Sequence, residues 1–399
     1  MTFLSPLLLA AVWACLPNSE CPEFEETKAW MQQARQHQRQ GQYSAAETLL
    51  RRVLKTSAEE GRAMIEALNQ LAGVLFLKAD YAEAEAVIRR AIELNSQHEG
   101  RDDLKRAENL NTLAEILRAS DRISEADAAQ QQAIAIFEAR LGKDHSNTLT
   151  VQENRASLLA QQGRFREAVT ISRRVLAGRE KRLEPNNPYL ATTLSNLAGY
   201  EMAVGDAVNV EPLYRRALAI REQASGPEHP EVAVLLNNLA EHLRREGKEH
   251  EAEPLYRRAL TIQEMRLGSH PDYATTLNNW AEFLARRRRK KEAEASYRKA
   301  WSVAQAALGN SHVLVATIQE NLARHLQASR KNEEALALLH RALEIRAQRQ
   351  GAQHPDVLKT LSALDRLQGG RISPPGSIGL SALRQGIHYS AILIKLDSD

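Results

Sequence analysis

The sequence predicts an all-α fold, a solenoid of antiparallel helix hairpins. Three observations carry that prediction: a composition that favours helix, an internal period of about 42 residues, and apolar side chains at helical spacing inside each period. Alanine, leucine, glutamate, arginine and glutamine dominate, while aromatics make up only 5%. Such side chains lose little rotamer freedom in a helix. With 43% hydrophobic and 26% charged residues, the chain has the balance of a soluble folded protein. Its 399 residues suffice for two or three ordinary domains or for one elongated array. The formal net charge of +3 is close to neutral at this length and speaks against a nucleic-acid or membrane-surface role.

The period rests on one recurring element. NLAGYEMAVGD begins at Asn196, NLAEHLRREGK at Asn238, NWAEFLARRRR at Asn279 and NLARHLQASRK at Asn321. Aligned on the first residue, the copies start at Gln70, Thr112, Asn154, Asn196, Asn238, Asn279 and Asn321, in steps of 42, 42, 42, 42, 41 and 42; an earlier copy starts at Gln32, a step of 38. Composition bias can mimic one match but not a regular series.

Each unit contains two helical patterns. In the first, Leu235, Leu236, Leu239, Ala240 and Leu243 occupy one helix face. Gly247 ends it, as Gly163 and Gly205 do in their units. The second pattern runs from Glu251, with Ala252, Leu255, Tyr256, Ala259, Leu260 and Ile262 as its stripe and Pro254 in or near the first turn. Alanines on both faces let the paired helices approach closely. Between units lie loops such as GPEHPEVA at 226 and GAQHPDVL at 351, in which proline suits the first helical position and the following acid suits the positive helix end. No hairpin buries its stripe alone, so adjacent units stack into one core. Unit one is short and polar, with His37 where leucine is expected; Arg288 and Arg330 replace the turn glycine in units seven and eight. HPDVLKTLSALDRLQ, from His354, reads as a lone C-terminal capping helix. The organisation is therefore an apolar segment 1–22, eight hairpins and a cap over 23–368, and a Gly- and Pro-containing tail 369–399.

Ala240, Gly247, Ala252, Tyr256 and Ala259 resemble the motif of the tetratricopeptide repeat, and the longer period with its HP loops is similar to the kinesin-light-chain subtype. The resemblance covers residues 23 to about 368. It implies a right-handed superhelix whose first helices line a concave surface that takes an extended peptide.

The asparagines are the strongest functional signal. Asn154, Asn196, Asn238, Asn279 and Asn321 lie two residues before the small-residue position of the first helix, which the resemblance puts in the groove. An amide carries both donor and acceptor, so a row of them can grip a peptide backbone whatever its side chains. Asn237, Asn278, Glu241, Glu282, Arg244 and Arg324 flank the row and would tune preference. The competing reading is that the asparagines tie neighbouring hairpins together, and the two roles can coexist.

Other clusters have plainer readings. His145, His229, His270, His312 and His354 recur once per unit, so equivalent atoms sit about 10 Å apart, whereas a metal needs ligands near 2 Å; they read as helix-start residues. Glu47/Arg51, Glu85/Arg89, Glu211/Arg215, Glu253/Arg257 and Glu294/Arg298 read as solvated i,i+4 pairs on second helices. The run from Arg286 to Lys291 is open to three readings: a solvated turn, an anion or acidic-partner contact, or a nuclear-localisation signal. No phosphate loop, nucleophile elbow or HExxH occurs, so neither enzyme activity nor a cofactor is expected, and Cys15 and Cys21 form no zinc-like cluster.

The first 16 residues are apolar and uncharged, too short to cross a bilayer. They resemble the core of a secretory signal, with Val12 and Ala14 suited to cleavage before Cys15. Val12-Trp13-Ala14-Cys15 also resembles a lipoprotein box, the one route by which the chain would meet a membrane. No Lys or Arg precedes the run, which counts against both readings and leaves a segment packed over the first repeat as the third. Export to a periplasm follows if 1–14 are cleaved, and a cytoplasmic protein if not.

The expected function is thus a non-enzymatic scaffold that binds a protein or peptide in its groove; the alternative is self-assembly through the solenoid ends or termini. On the first reading, light scattering finds both the full chain and a chain lacking 1–22 and 370–399 to be monomers. A full-length oligomer that reverts to monomer on truncation would establish the alternative.

Overall fold

Seventeen helices follow one another, with no strand among the described residues, in a computed structural model that describes 22–39, 42–56, 62–78, 80–97, 103–120, 122–206, 208–350, 352 and 354–368. The signal-like run with Cys15 and Cys21, and the tail 369–399, lie outside them. The helices are α1 Pro22–Arg39, α2 Tyr43–Thr56, α3 Arg62–Leu77, α4 Tyr81–Gln97, α5 Asp103–Ala119, α6 Ile123–Leu141, α7 Ser146–Gln161, α8 Phe165–Glu180, α9 Pro188–Val204, α10 Val210–Ser225, α11 Pro230–Arg245, α12 Glu249–Arg266, α13 Pro271–Arg286, α14 Lys290–Leu308, α15 Val313–Gln327, α16 Asn332–Gln350 and α17 Pro355–Leu367. Odd and even members alternate as the first and second helices of eight hairpins, and α17 is the unpaired cap. Two compact units result: residues up to Glu184 with Ala203–Gly205, and Pro185–Met202 with Asp206 onward.

Small residues decide how the helices meet. Ala72, Ala114, Ala156, Ala198, Ala240, Ala281 and Ala323, at one position of successive first helices, are all fully buried. So are Ala84, Ala126, Ala168, Val210, Ala252, Ala293 and Ala335 near the start of the second helices, and Ala91, Ala133, Val175, Ala217, Ala259, Ala300 and Ala342 further along. With no side chain beyond Cβ at most of these points, backbones come within about 8–10 Å. Larger groups then fill the step to the next hairpin. Tyr256 of α12 meets Trp280 and Phe283 of α13 at ring-centroid distances of 6.0 and 5.7 Å. Within each unit, first helices lie against one another, α1 on α3 and α3 on α5, then α11 on α13 and α13 on α15, and so make a continuous face.

The histidines of the loops start helices, as their positions imply. Nδ1 of His145, His229, His270, His312 and His354 accepts the backbone N–H two residues on, at 3.1–3.3 Å. At α9, Asn187 Oδ1 takes the same role toward Tyr189 N at 3.0 Å. The sequence reading of α12 needs one correction. The helix begins at Glu249, because Lys248 N–H closes onto Leu243 O at 2.8 Å and lets the next helix start at once, so Pro254 lies beyond the first turn.

The turn inside each hairpin demands a left-handed residue. Gly163, Gly205 and Gly247 have φ of 75, 82 and 76°, and Arg288 and Arg330, which replace glycine, keep the same conformation at 60 and 63°. The closing bonds are the same too, Arg289 N to Leu284 O and Lys331 N to Leu326 O, both at 3.0 Å. A left-handed residue with a Cβ costs about 1–2 kcal/mol, set against about 0.5–1 kcal/mol of extra chain entropy lost by glycine. Arg288→Gly and Arg330→Gly should therefore each stabilise the chain by about 0.5–1 kcal/mol, read as a higher urea midpoint; a lowered midpoint would show that these arginines are held by contacts rather than strained.

Candidate functional site

The first-helix face of the second unit is built from the residues that the core leaves over. Leu235, Leu236, Leu239, Ala240 and Leu243 bury one side of α11, so Val234, Asn238, Glu241 and Arg245 rise on the other. The same register gives Thr275, Asn279, Glu282 and Arg286 on α13, and Thr317, Asn321 and Arg324 on α15. Asn196 on α9, and Asn154 in the first unit, are half-buried at the equivalent position.

The amides bond to one another across hairpins. Asn321 Nδ2 donates to Asn278 Oδ1 at 2.9 Å, Asn278 Nδ2 to Asn279 Oδ1 at 3.4 Å, Asn279 Nδ2 to Asn237 Oδ1 at 3.2 Å, and Asn237 Nδ2 to Asn238 Oδ1 at 3.3 Å. In the first unit, Asn154 Nδ2 donates to Asn111 Oδ1 at 3.3 Å. Each interior amide of the chain spends one N–H and one lone pair, leaving one of each. Tying hairpins together is thus what these side chains do in the structure, and each half-buried amide retains the capacity to bond a ligand.

The flanking residues divide by depth. Glu241 and Glu282 are half-exposed and Arg324 is exposed, beside the row as the sequence implies. Asn237, Asn278 and Arg244 are buried, at 5, 7 and 7% exposure, and support the face from beneath. Arg244 donates to Glu241 at 2.8 and 2.7 Å and approaches Glu282 at 3.7 Å; the Tyr256 hydroxyl donates to Glu241 at 3.0 Å. Burial pushes the Glu241 carboxyl up, but Arg244 and Arg245 outweigh it and hold it below the usual carboxylate range. The exposed arginine on α11 is the neighbouring Arg245, which pairs with Glu241 at 2.8 Å.

On the second helices the structure adds what the i,i+4 reading lacked. All five pairs form, and each glutamate also takes a cation from the hairpin that follows: Glu47–Lys78 at 2.5 Å, Glu85–Arg122 at 2.6 Å, Glu211–Lys248 at 2.7 Å, Glu253–Arg289 at 3.1 Å and Glu294–Lys331 at 2.9 Å. Arg51, Arg215 and Arg298 reach forward in turn to Glu83, Glu251 and Glu334, at 2.7, 3.2 and 2.7 Å. The signal was present as a recurrent cation 31–37 residues after each glutamate. Two buried ion pairs were also missed, Glu153–Arg179 and Glu320–Arg346. Their glutamates take the position that Asn237 and Asn278 hold elsewhere, and Arg346 also donates to Thr360 Oγ1 at 2.5 Å, which fastens α17.

Comparisons place this architecture. A family model described as tetratricopeptide repeat matches residues 63–139, 105–181, 189–265, 272–348 and 314–369. Among solved structures the chain is similar to the apo form of RapI, at 13% identity and a TM-score of 0.58 over 71% of this chain and 97% of that one. It is similar to a Rap protein complexed with competence and sporulation factor, at 14% identity and 0.51 over 91 and 90%. A putative kinesin light chain from Podosopora anserina with nearly identical TPR-like repeats matches at 22% identity and 0.45 over 51 and 97%. At these identities the likeness is one of fold. No curated protein matches the chain.

The ion lattice has a pH signature. Their cations hold Glu47, Glu211, Glu253 and Glu294 below the ordinary carboxylate range, and those around Glu85 outweigh its burial to the same effect. A depressed carboxylate contributes stability that is complete above the unfolded value, about 4.3, and is lost as pH falls through the folded one. Burial depresses His242, His312, His325 and His340 as well, so their share begins to fall below about pH 6.5. Thermal midpoints should therefore fall gently from about pH 6.5 and steeply below about 4.5. A midpoint that holds level down to pH 3 would contradict the lattice.

Proposed function

Because the chain belongs to the tetratricopeptide repeat family, we propose that it is a non-catalytic scaffold which holds an extended peptide or protein segment against the first-helix face of its second unit. The observation that carries this reading is the continuous run of amides from Asn238 to Asn321, in which the half-buried Asn238, Asn279 and Asn321 keep bonding capacity to spare. An extended strand laid across successive first helices offers a carbonyl and an N–H at every residue, and a preorganised amide row satisfies them at little cost in ordering. Val234, Thr275 and Thr317 border the row on one side, and Glu241, Glu282 and Arg324 on the other, where they would read side chains. A Rap protein of similar fold is solved in complex with competence and sporulation factor, which supports the capacity of this architecture to hold a partner.

The test separates gripping from tying. Peptides selected from a random display library on the intact chain should bind Asn238→Ala/Asn279→Ala/Asn321→Ala about tenfold more weakly, a loss near 1.4 kcal/mol. Asn237→Ala and Asn278→Ala, which remove buried partners, should lower the urea midpoint and leave affinity within about threefold. Undiminished capture by the triple variant would defeat the groove assignment.

A further inference from the structure

The turn between α13 and α14 departs from two local rules. Arg288 stands in the left-handed conformation that three other turns give to glycine, and Arg330 repeats the substitution one hairpin on. Lys290 and Lys291 occupy the first turn of α14, at the positive end of its dipole, where a cation is disfavoured. Glu292 is the one acid in that turn and is paired with Arg289, whereas the first turn of α12 carries Glu249 and Glu251, and that of α16 carries Glu333 and Glu334. Strain of this kind gathers where a surface serves a partner.

The pairing pattern sharpens the point. Around this turn Arg286 meets Glu282 at 3.7 Å, Arg287 meets Glu249 at 3.0 Å and Arg289 meets Glu253 at 3.1 Å. Among the described residues, Arg288, Lys290, Lys291 and Arg330 have no carboxylate within 4.0 Å, and all four are exposed. The lattice thus neutralises its neighbours and leaves four cations on one edge of the second unit, spread over two consecutive turns about 10 Å apart.

We infer that this turn edge docks an acidic segment of a partner protein, on a surface separate from the amide face. An arginine that replaces glycine gives up local stability for a charge aimed outward, and a carboxylate-rich strand spanning two turns returns it as ion pairs. A nucleic-acid strand fits less well. Single-strand binding draws on bases stacked on aromatic side chains, and Trp280, which lies against Arg257 and Arg289 beside this edge, is buried at 8% exposure.

The probe is a fluorescein-labelled deca-glutamate peptide, with deca-glutamine as its neutral control and a ten-nucleotide single strand as competitor, read by anisotropy on the full chain at low and moderate salt. Deca-glutamate should bind in a salt-sensitive way and deca-glutamine should not. Arg288→Gly/Arg330→Gly should weaken binding about fivefold while the fold becomes more stable, and Lys290→Gln/Lys291→Gln should weaken it similarly. Arg166→Gln in the first unit and the triple asparagine variant should stay within about twofold, so the edge and the amide face succeed or fail independently. Binding that ignores the turn variants, follows the asparagine variant instead, or favours the oligonucleotide overturns the proposal.

Discussion

Close approach of backbones at buried alanine is the constraint on which everything else depends. Ala240 and Ala252 in one hairpin, and Ala281 and Ala293 in the next, have no exposed surface, and the pattern recurs along the chain. A leucine at such a point would overpack the contact and cost about 1–3 kcal/mol. It would also push the next hairpin outward. Amide-to-amide distances of 2.9–3.3 Å between successive hairpins leave no room for such a shift, so the polar face exists only because the apolar core is thin.

Two polar seams flank that core. On the first helices, asparagine bonds to asparagine; on the second helices, each glutamate is shared between an arginine of its own helix and a cation of the next hairpin. Exposed pairs contribute little each, about 0–1 kcal/mol, so their sum matters less than their periodicity. Apolar packing alone is indifferent to small slides of one hairpin over another. Directional bonds at fixed spacing set the register. The cap uses the same device in buried form, since Arg346 joins Glu320 of α15 to Thr360 of α17.

Much of this was legible in the sequence for local reasons. Hairpin turns, histidine caps and i,i+4 pairs each depend on residues within about one helix turn, the period is plain from counting along the chain, and Arg288 and Arg330 betray a left-handed site simply by standing where Gly247 stands. What was not legible depends on how one hairpin is rotated against the next. That rotation brings Lys248 to Glu211 and Asn279 to Asn237, and it sinks Arg244 beneath the face while Arg245 stays outside. Adjacent arginines on a helix differ by about 100° in direction, and only the packed partner says which one faces in. The positions of the amide row follow from counting, but its bonds to itself do not, because an amide's partner across 42 residues is a tertiary fact.

We propose that the amide face of the second unit is a prepared binding surface as well as a seam. Hydrogen–deuterium exchange of the full chain, with and without a peptide selected on it, tests this most directly. The account predicts added protection in α11, α13 and α15, with the second helices α12 and α14 unchanged. Protection confined to the second helices, or none in the second unit, would contradict it.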